Sequence, residues 1–341
     1  MINDIKNSFS LQLKPDSFAK VDKEKIFRSS NINYRRKYIN LKAITSLIIL
    51  ALILILAFIV PLFYPYSYSE QLRNCENLKP FQFSSYEMSL IDNGTKLFPH
   101  VFGTDNLGRD MAARVLTGAR ISMFIGVFAS LLVMIIGSIY GAISGYFGGA
   151  LDLVMMRIVD IIYTLPDILI VILLSVSLKV PLNKAVEHNH ALSAIGANLI
   201  SVFIAFGLLY WGSAARIVRG QIMSIKQCEF ITAARAYGAS SSRIITKHLI
   251  PNCIDTIIVI ATLQVPTAIF TESYLSFLGL GVSAPMPSLG SLAADAVNGI
   301  SLYPYRLIAP AAAITIIIFA FNMLGDGLRD MFDVKEAFIE D

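Results

Sequence analysis

Apolar residues along this chain gather into long uninterrupted runs, and polar residues are confined to the stretches between them. Six runs meet or nearly meet the roughly 20 residues a helix needs to cross a hydrocarbon core. They are 43–61, 121–147, 158–178, 191–215, 256–282 and 307–324. None shows the period-two alternation of a membrane strand, so the pattern predicts an all-α integral membrane protein, a bundle of six transmembrane helices. The second run is rich in small residues, among them Gly126, Ala129, Gly137, Gly141 and Gly145. Small residues let helices approach closely in lipid, where no hydrophobic drive presses them together. Pro166 is expected to kink the third run, and Pro266 lies within the fifth. Asp160, Asp167 and Glu272 are acidic residues placed within spans. An acidic side chain at a helix centre costs about 2.5–3.5 kcal/mol in lipid, so each must face protein or water. Each therefore stands either as a hydrogen-bonding group between helices or as a group lining a water-filled path through the bundle. Asp160 is expected to pair with Arg157.

Composition agrees with a lipid solvent. The 341 residues are 55% hydrophobic and 15% charged, with mean hydropathy +0.64, whereas a soluble domain carries about 25% charged residues. The net charge of +4 is unevenly placed. Lys6, Lys14, Lys20, Lys23, Lys25, Arg28, Arg35, Arg36, Lys37 and Lys42 precede the first run, against Asp4, Asp16, Asp22 and Glu24. Basic residues beside a span stay in the cytoplasm, so the N-terminus is placed there, and six spans return the C-terminus to the same side. No aromatic or groove-reading pattern accompanies the charge, which argues against nucleic acid. The first run reads as an uncleaved anchor, because its basic flank and apolar stretch are too long for a signal peptide.

The expected organisation is a basic cytoplasmic tail (1–42), a first span (43–61), an external loop with a short helix (62–120), a transmembrane core (121–327) and a cytoplasmic tail (328–341). Phe81, Phe83 and Tyr86 are expected to give the external loop its own packing. Thr104 or Asp105 would cap the short helix, whose Met111, Val115 and Leu116 share a face. Arg109, Arg114 and Arg120 run against the orientation and are outweighed by the tail and the basic loop at 216–247. Cys75, Cys228 and Cys253 form no paired or zinc-type spacing, and His188 and His190 read as a solvated loop. Neither a cofactor nor a metal is expected. The chain holds no GxxxxGK[ST], HExxH or GxSxG segment, so neither ATP binding through a P-loop nor an enzyme of those types is expected.

The loop at 216–253 is polar and basic between two apolar runs. Phe230, Ala233, Ala234 and Tyr237 recur at helical spacing and place an aromatic-and-small face on a short helix. Gly238 is positioned to end that helix in a left-handed conformation. Ser240 or Ser241 is positioned to cap the next one, and Pro251 marks a break before the fifth span. A short exposed helix of this kind suits insertion into a groove on a partner protein.

This segment resembles the cytoplasmic EAA loop of ABC-importer permeases. Ala233, Ala234, Gly238 and Pro251 match the pattern, and 248–252 (HLIPN) fits the ending found in the peptide-importer branch. Thr232 stands where that family usually has Glu, and His248 where Ile is common; Glu229, one turn earlier, is the acidic substitute. The stretches FGTDNLGRD (102–110), GARIS (118–122), SGYFGG (144–149), MRIVD (156–160), LSFLGLG (275–281) and FNMLGDGLRD (321–330) are similar, in order, to the C-type permease of oligopeptide and dipeptide importers. The resemblance implies a type I importer permease in a bacterial inner membrane. It implies as partners a second, B-type permease, two cytoplasmic ATP-binding subunits and an external peptide-binding protein or lipoprotein. ATPase coupling falls to Glu229, Thr232, Ala233, Ala234, Tyr237, Gly238, His248 and Pro251. The alternatives are an ABC permease for nickel or another small solute, and a stand-alone carrier. The chain shows neither the inverted repeats nor the charged relay expected of a carrier.

Overall fold

A computed structural model describes residues 41–187, 196–282 and 286–337. The basic tail up to residue 40, His188, His190 and the start of the Pro-rich loop at 283–288 lie outside the described residues. Among those described, six helices are long and apolar enough to cross a membrane. Regular structure is helical apart from one isolated bridge between Thr104 and Asp110.

In chain order the helices are α1 (Leu41–Phe58), α2 (Ser85–Asp92), α3 (Met111–Phe147), α4 (Gly149–Thr164), α5 (Asp167–Glu187), α6 (Ala197–Leu209), α7 (Trp211–Ile225) and α8 (Glu229–Ala236). Then come α9 (Ser241–Ile244), α10 (Ile254–Phe277), α11 (Leu289–Val297) and α12 (Tyr305–Ala337). The spans are α1 with its short continuation Val60–Phe63, α3, α5, the pair α6–α7, α10 and α12.

Helix α3 is the axis of the bundle, with a larger buried share of its apolar window than any other span. Its small residues explain why. Gly137, Gly141 and Gly145 lie against the α7 backbone, and a Cβ at any of them would strike α7 at Ala214, Ala215 or Arg219. On another face Gly126 receives Ile269 of α10, and the Ser130 hydroxyl donates to the Ala261 carbonyl at 2.6 Å. The opposite stripe, Phe124, Leu131, Ile135 and Ile139, is exposed. An apolar stripe of that length left open is what a lipid-facing or partner-facing helix requires.

Several elements differ from the sequence expectation for identifiable reasons. The third apolar run is two helices rather than one kinked span. Leu165, held extended ahead of Pro166, ends α4, and the span proper is α5. A residue before proline is pushed out of the helical region, and proline supplies no N–H. Asp160 therefore sits on α4, where it pairs with Arg216 of α7 at 2.7 Å rather than with Arg157. The fourth span turns at Tyr210 and runs on to Ile225. Its Arg216 and Arg219 are not forced out of the helix because α4 supplies them with Asp160 and Asp152.

The last span also continues through GDGLRD to Ala337. Its glycines do not end it. Gly325 admits Leu263 of α10, Gly327 admits the start of α1 at Ala43, and Lys42 meets Asp330 at 3.2 Å.

In the segment before α3 the expected Phe81 and Tyr86 are exposed and Phe83 is half-buried. Polar contacts hold the segment together with a different aromatic group, in which Tyr64 meets Tyr66 and Phe98 edge-on, each at 5.7 Å. The N-cap of α3 is Asp110, which accepts from Ala113 N at 2.8 Å, not Thr104 or Asp105. Asp105 instead binds Arg109 at 2.7 Å and Arg114, while Arg114 also reaches Asp295 before α12 at 3.3 Å. These pairings neutralise two of the three arginines that ran against the charge rule.

Candidate functional site

Residues 226–253 gather at one end of the bundle, where α3 and α7 finish. The buried side chain of Ile231 anchors α8 in a cluster with Tyr146, Val218, Ile222, Ile244, Leu249 and Cys253. The Arg235 guanidinium lies over the Tyr146 ring at 5.2 Å, and the Tyr146 hydroxyl donates to Ser241 at 3.3 Å. With its inner edge fixed, α8 turns Glu229, Phe230, Thr232, Ala233 and Tyr237 outward, and Tyr237 is 93% exposed. Ala234 is half-buried. The aromatic-and-small face read from periodicity is thus the outer face. Ile231, which the periodicity reading passed over, is the residue that holds it.

The end of α8 is tightly specified. Gly238 has φ +77°. Its N–H donates to Arg235 O at 2.9 Å, and Ala239 N donates to Ala234 O at 3.1 Å. This is the double closure of a Schellman ending. Ser240 then caps α9, accepting from Arg243 N. From α9 the chain passes through a π-helical stretch, Ile245–Leu249, into a turn, Ile250–Asn252. Ile244 and Leu249 point into the cluster, His248 is half-buried and Pro251 is exposed. Pro251 fits the first turn of that short helix, where its missing N–H has no partner to lose; the chain breaks two residues later at Cys253.

Two ion pairs tie this end to α4. Arg219 binds Asp152 through two nitrogens, one at 2.6 Å, and the Ser144 hydroxyl donates to the same carboxylate. Hydrogen bonding from Arg219, against the opposing effect of burial, holds Asp152 below its ordinary carboxylate range. Arg216 joins Asp160 and stacks on Tyr163 at 4.6 Å.

The remaining acidic residues occupy different surroundings. Asp167 is exposed and lines a cavity of about 270 Å³ with Tyr163, Pro166, Leu209 and Tyr210. The Tyr210 hydroxyl donates to it at 3.4 Å, at the turn between α6 and α7. Glu272 is fully buried in α10. It receives Ser276 at 2.6 Å and Ser122 of α3 at 3.0 Å, and the Ser122 oxygen also accepts from Leu289 N at 3.3 Å. One carboxyl group thus joins α3, α10 and the start of α11. Ser122 lies 150 positions away in sequence, so only the fold reveals this partner. Glu272→Ala is expected to cost about 2–4 kcal/mol, since buried hydroxyls left unpaired lose about 1–3 kcal/mol each. The check is the thermal midpoint of the detergent-solubilised protein; Glu272→Gln, which keeps an acceptor, should lose less than half as much.

Six spans around a small-residue axis, with a projecting helix at one end, define a multi-pass helical membrane protein. A family profile described as the inner membrane component of binding-protein-dependent transport systems matches residues 134–336. A second, described as the N-terminal transmembrane domain of oligopeptide transport permease C, matches residues 40–80. The chain belongs to this family of binding-protein-dependent inner membrane transport components. It is a transport subunit of a bacterial inner membrane, built on the six-helix plan of ABC-importer permeases.

Individual relatives are similar over nearly their whole lengths. The oligopeptide transport system permease protein OppC of Bacillus subtilis (strain 168) is 43% identical over 297 residues, 87% of this chain and 86% of the relative. The dipeptide transport system permease protein DppC of the same organism is 42% identical over 303 residues, 89% and 84% of the two chains. The OppC protein of Escherichia coli (strain K12) is 38% identical over 304 residues, 89% and 90% of the two.

Proposed function

We propose that this chain is one permease of an ATP-driven peptide importer and that α8 is the lever through which a cytoplasmic ATPase moves it. The peptide substrate rests on the names of the relatives, which are oligopeptide and dipeptide permeases. The lever rests on one observation above others: α8 exposes Phe230, Ala233 and Tyr237 while Ile231 fixes it to the ends of α3 and α7. A helix that projects yet is braced can transmit force; a loosely hinged one would absorb it.

In this reading a second permease completes the translocation path, and an external peptide-binding protein delivers the substrate. Each of two ATP-binding subunits receives a helix like α8. Closure of the ATPase pair displaces α8, and α3 and α7 carry the shift into rocking of the spans. Moving such an equilibrium from 1:99 to 99:1 takes about 5.5 kcal/mol of differential binding, which ATP binding to the partner subunits supplies. Glu229 and Thr232 flank the exposed face and contact the ATPase groove, while His248 and Pro251 shape the return into α10. Asp167, open to a cavity at a helix break, is the path residue we favour; Asp160 and Glu272 act by holding helices. Both chain ends and α8 lie in the cytoplasm in this assignment.

The test places a single cysteine at Phe230 in the assembled transporter. We expect it to cross-link to the ATP-binding subunit and to react with a membrane-impermeant maleimide in inside-out vesicles only. Labelling of the same position, or of Arg235→Cys, from outside intact cells overturns the assignment.

A further inference from the structure

Away from α8, at the other end of the bundle, the segment preceding α3 encloses Cys75, Glu87 and His100, all buried. Their donor atoms lie within 4.8 Å of one another. We propose that this cluster is a binding site for a divalent transition-metal ion, of the zinc type, with a thiolate, a carboxylate and an imidazole as protein ligands.

The orientation of each group supports the assignment. His100 is fully buried, and its Nδ1 meets Asp110 Oδ2 at 2.7 Å. A carboxylate on one ring nitrogen is the arrangement that fixes a metal-binding histidine and leaves the other nitrogen for the ion. Asp110 is itself immobilised, because its other oxygen caps α3 and the Tyr64 hydroxyl donates to it at 3.2 Å. His100 Nε2 then faces Glu87 Oε1 at 3.1 Å. Nitrogen and oxygen bound to one tetrahedral zinc at about 2.0–2.1 Å stand about 3.3 Å apart, so these two ligands need almost no movement.

Glu87 presents that oxygen because its partner oxygen is committed. Ser84 N donates to Glu87 Oε2 at 2.8 Å in the capping box of α2. The thiol of Cys75 rests on the Ser84 hydroxyl at 3.2 Å and reaches the ion by rotating away from it. Tyr66 covers the imidazole, with ring centres 4.4 Å apart. A cavity of about 380 Å³, lined in part by Tyr66, Leu72, Cys75, Tyr86, Glu87 and Leu90, opens onto the thiol and the carboxylate. It provides an entry path and room for a water as fourth ligand.

The donor set chooses the class of ion. Sulfur and imidazole ligands disfavour calcium and magnesium, which take oxygen, and favour zinc and its first-row neighbours. On binding, the ion replaces the proton shared between His100 Nε2 and Glu87 and the proton of the thiol, and both leave through the cavity as hydronium. The ion then clamps the 75–87 segment to the N-cap of α3.

Cobalt(II) is the probe, because a thiolate ligand gives it a near-ultraviolet charge-transfer band. The purified full-length permease, stripped with chelator, is titrated with Co²⁺ and then with Zn²⁺. A Cys228→Ser/Cys253→Ser variant leaves Cys75 as the sole thiol without touching the cluster. We expect one equivalent of Co²⁺ and a charge-transfer band in this variant and in the parent, displaced by Zn²⁺. Cys75→Ser should abolish the band, and Glu87→Gln should weaken binding at least tenfold. Absence of the band from the parent protein at a hundredfold excess of Co²⁺, or its persistence in Cys75→Ser, overturns the proposal.

Discussion

Gly141→Leu is expected to remove most of the folded permease from the membrane. A Cβ at this position falls inside contact distance of the Ala215 carbonyl oxygen and stands 3.0 Å from Arg219 N. Both obstacles are α7 backbone, which cannot step aside as a side-chain tip would. Overpacking a tight core costs about 1–3 kcal/mol when side chains can adjust, and here two helix axes must separate. A cost of about 3 kcal/mol is more than a hundredfold in an equilibrium constant. The measurement is the monodisperse yield and thermal midpoint in detergent. Gly220, on the same helix α7, has open space where its Cβ would be. Gly220→Ala should therefore be neutral or slightly stabilising, since alanine is favoured over glycine within helices by about 1 kcal/mol. Equal behaviour of the two variants would mean that α3 and α7 are not packed as described.

Gly238→Val should separate transport from assembly. Open space surrounds the position, so no clash arises and the whole effect is torsional. With φ at +77°, an L residue pays about 1–2 kcal/mol and a β-branched one more. To relieve that strain the chain must give up the two closing hydrogen bonds, to Arg235 O and Ala234 O, and α8 loses its fixed direction. In the proposed importer, ATP-driven peptide uptake should drop at least tenfold, with membrane insertion and pairing with the proposed second permease retained. Gly238→Asn, whose side chain tolerates this conformation, should keep most of the uptake. Normal uptake by the valine variant would remove the rigid lever from the account.

Gly238 was legible because helix termination is local: a glycine after a short periodic segment, then serine, needs no distant partner to be understood. Neither Thr104 nor Asp105 caps α3, because three polar residues compete within a few positions. The winner, Asp110, is settled by its contact with His100 and Tyr64. The run 158–178 looked continuous because hydropathy is blind to backbone direction, and Pro166 acts on direction. Ile231 was passed over because a short helix has apolar residues on more than one side, and which side is inner depends on Tyr146 and Ile222 arriving from other helices.

By itself the sequence determined that the chain lives in lipid, crosses it six times and carries one polar, basic loop with a short exposed helix. Those properties follow from transfer free energies and local torsions, which act residue by residue. Tertiary structure alone decided which charges are neutralised, with Arg114 finding Asp105 and Asp295 and Arg219 finding Asp152. It also decided that Glu272 joins three helices and that Cys75, Glu87 and His100 share one small enclosure. Pairings of that kind depend on groups far apart in the chain being brought within a few ångströms, and no periodicity or composition encodes a distance.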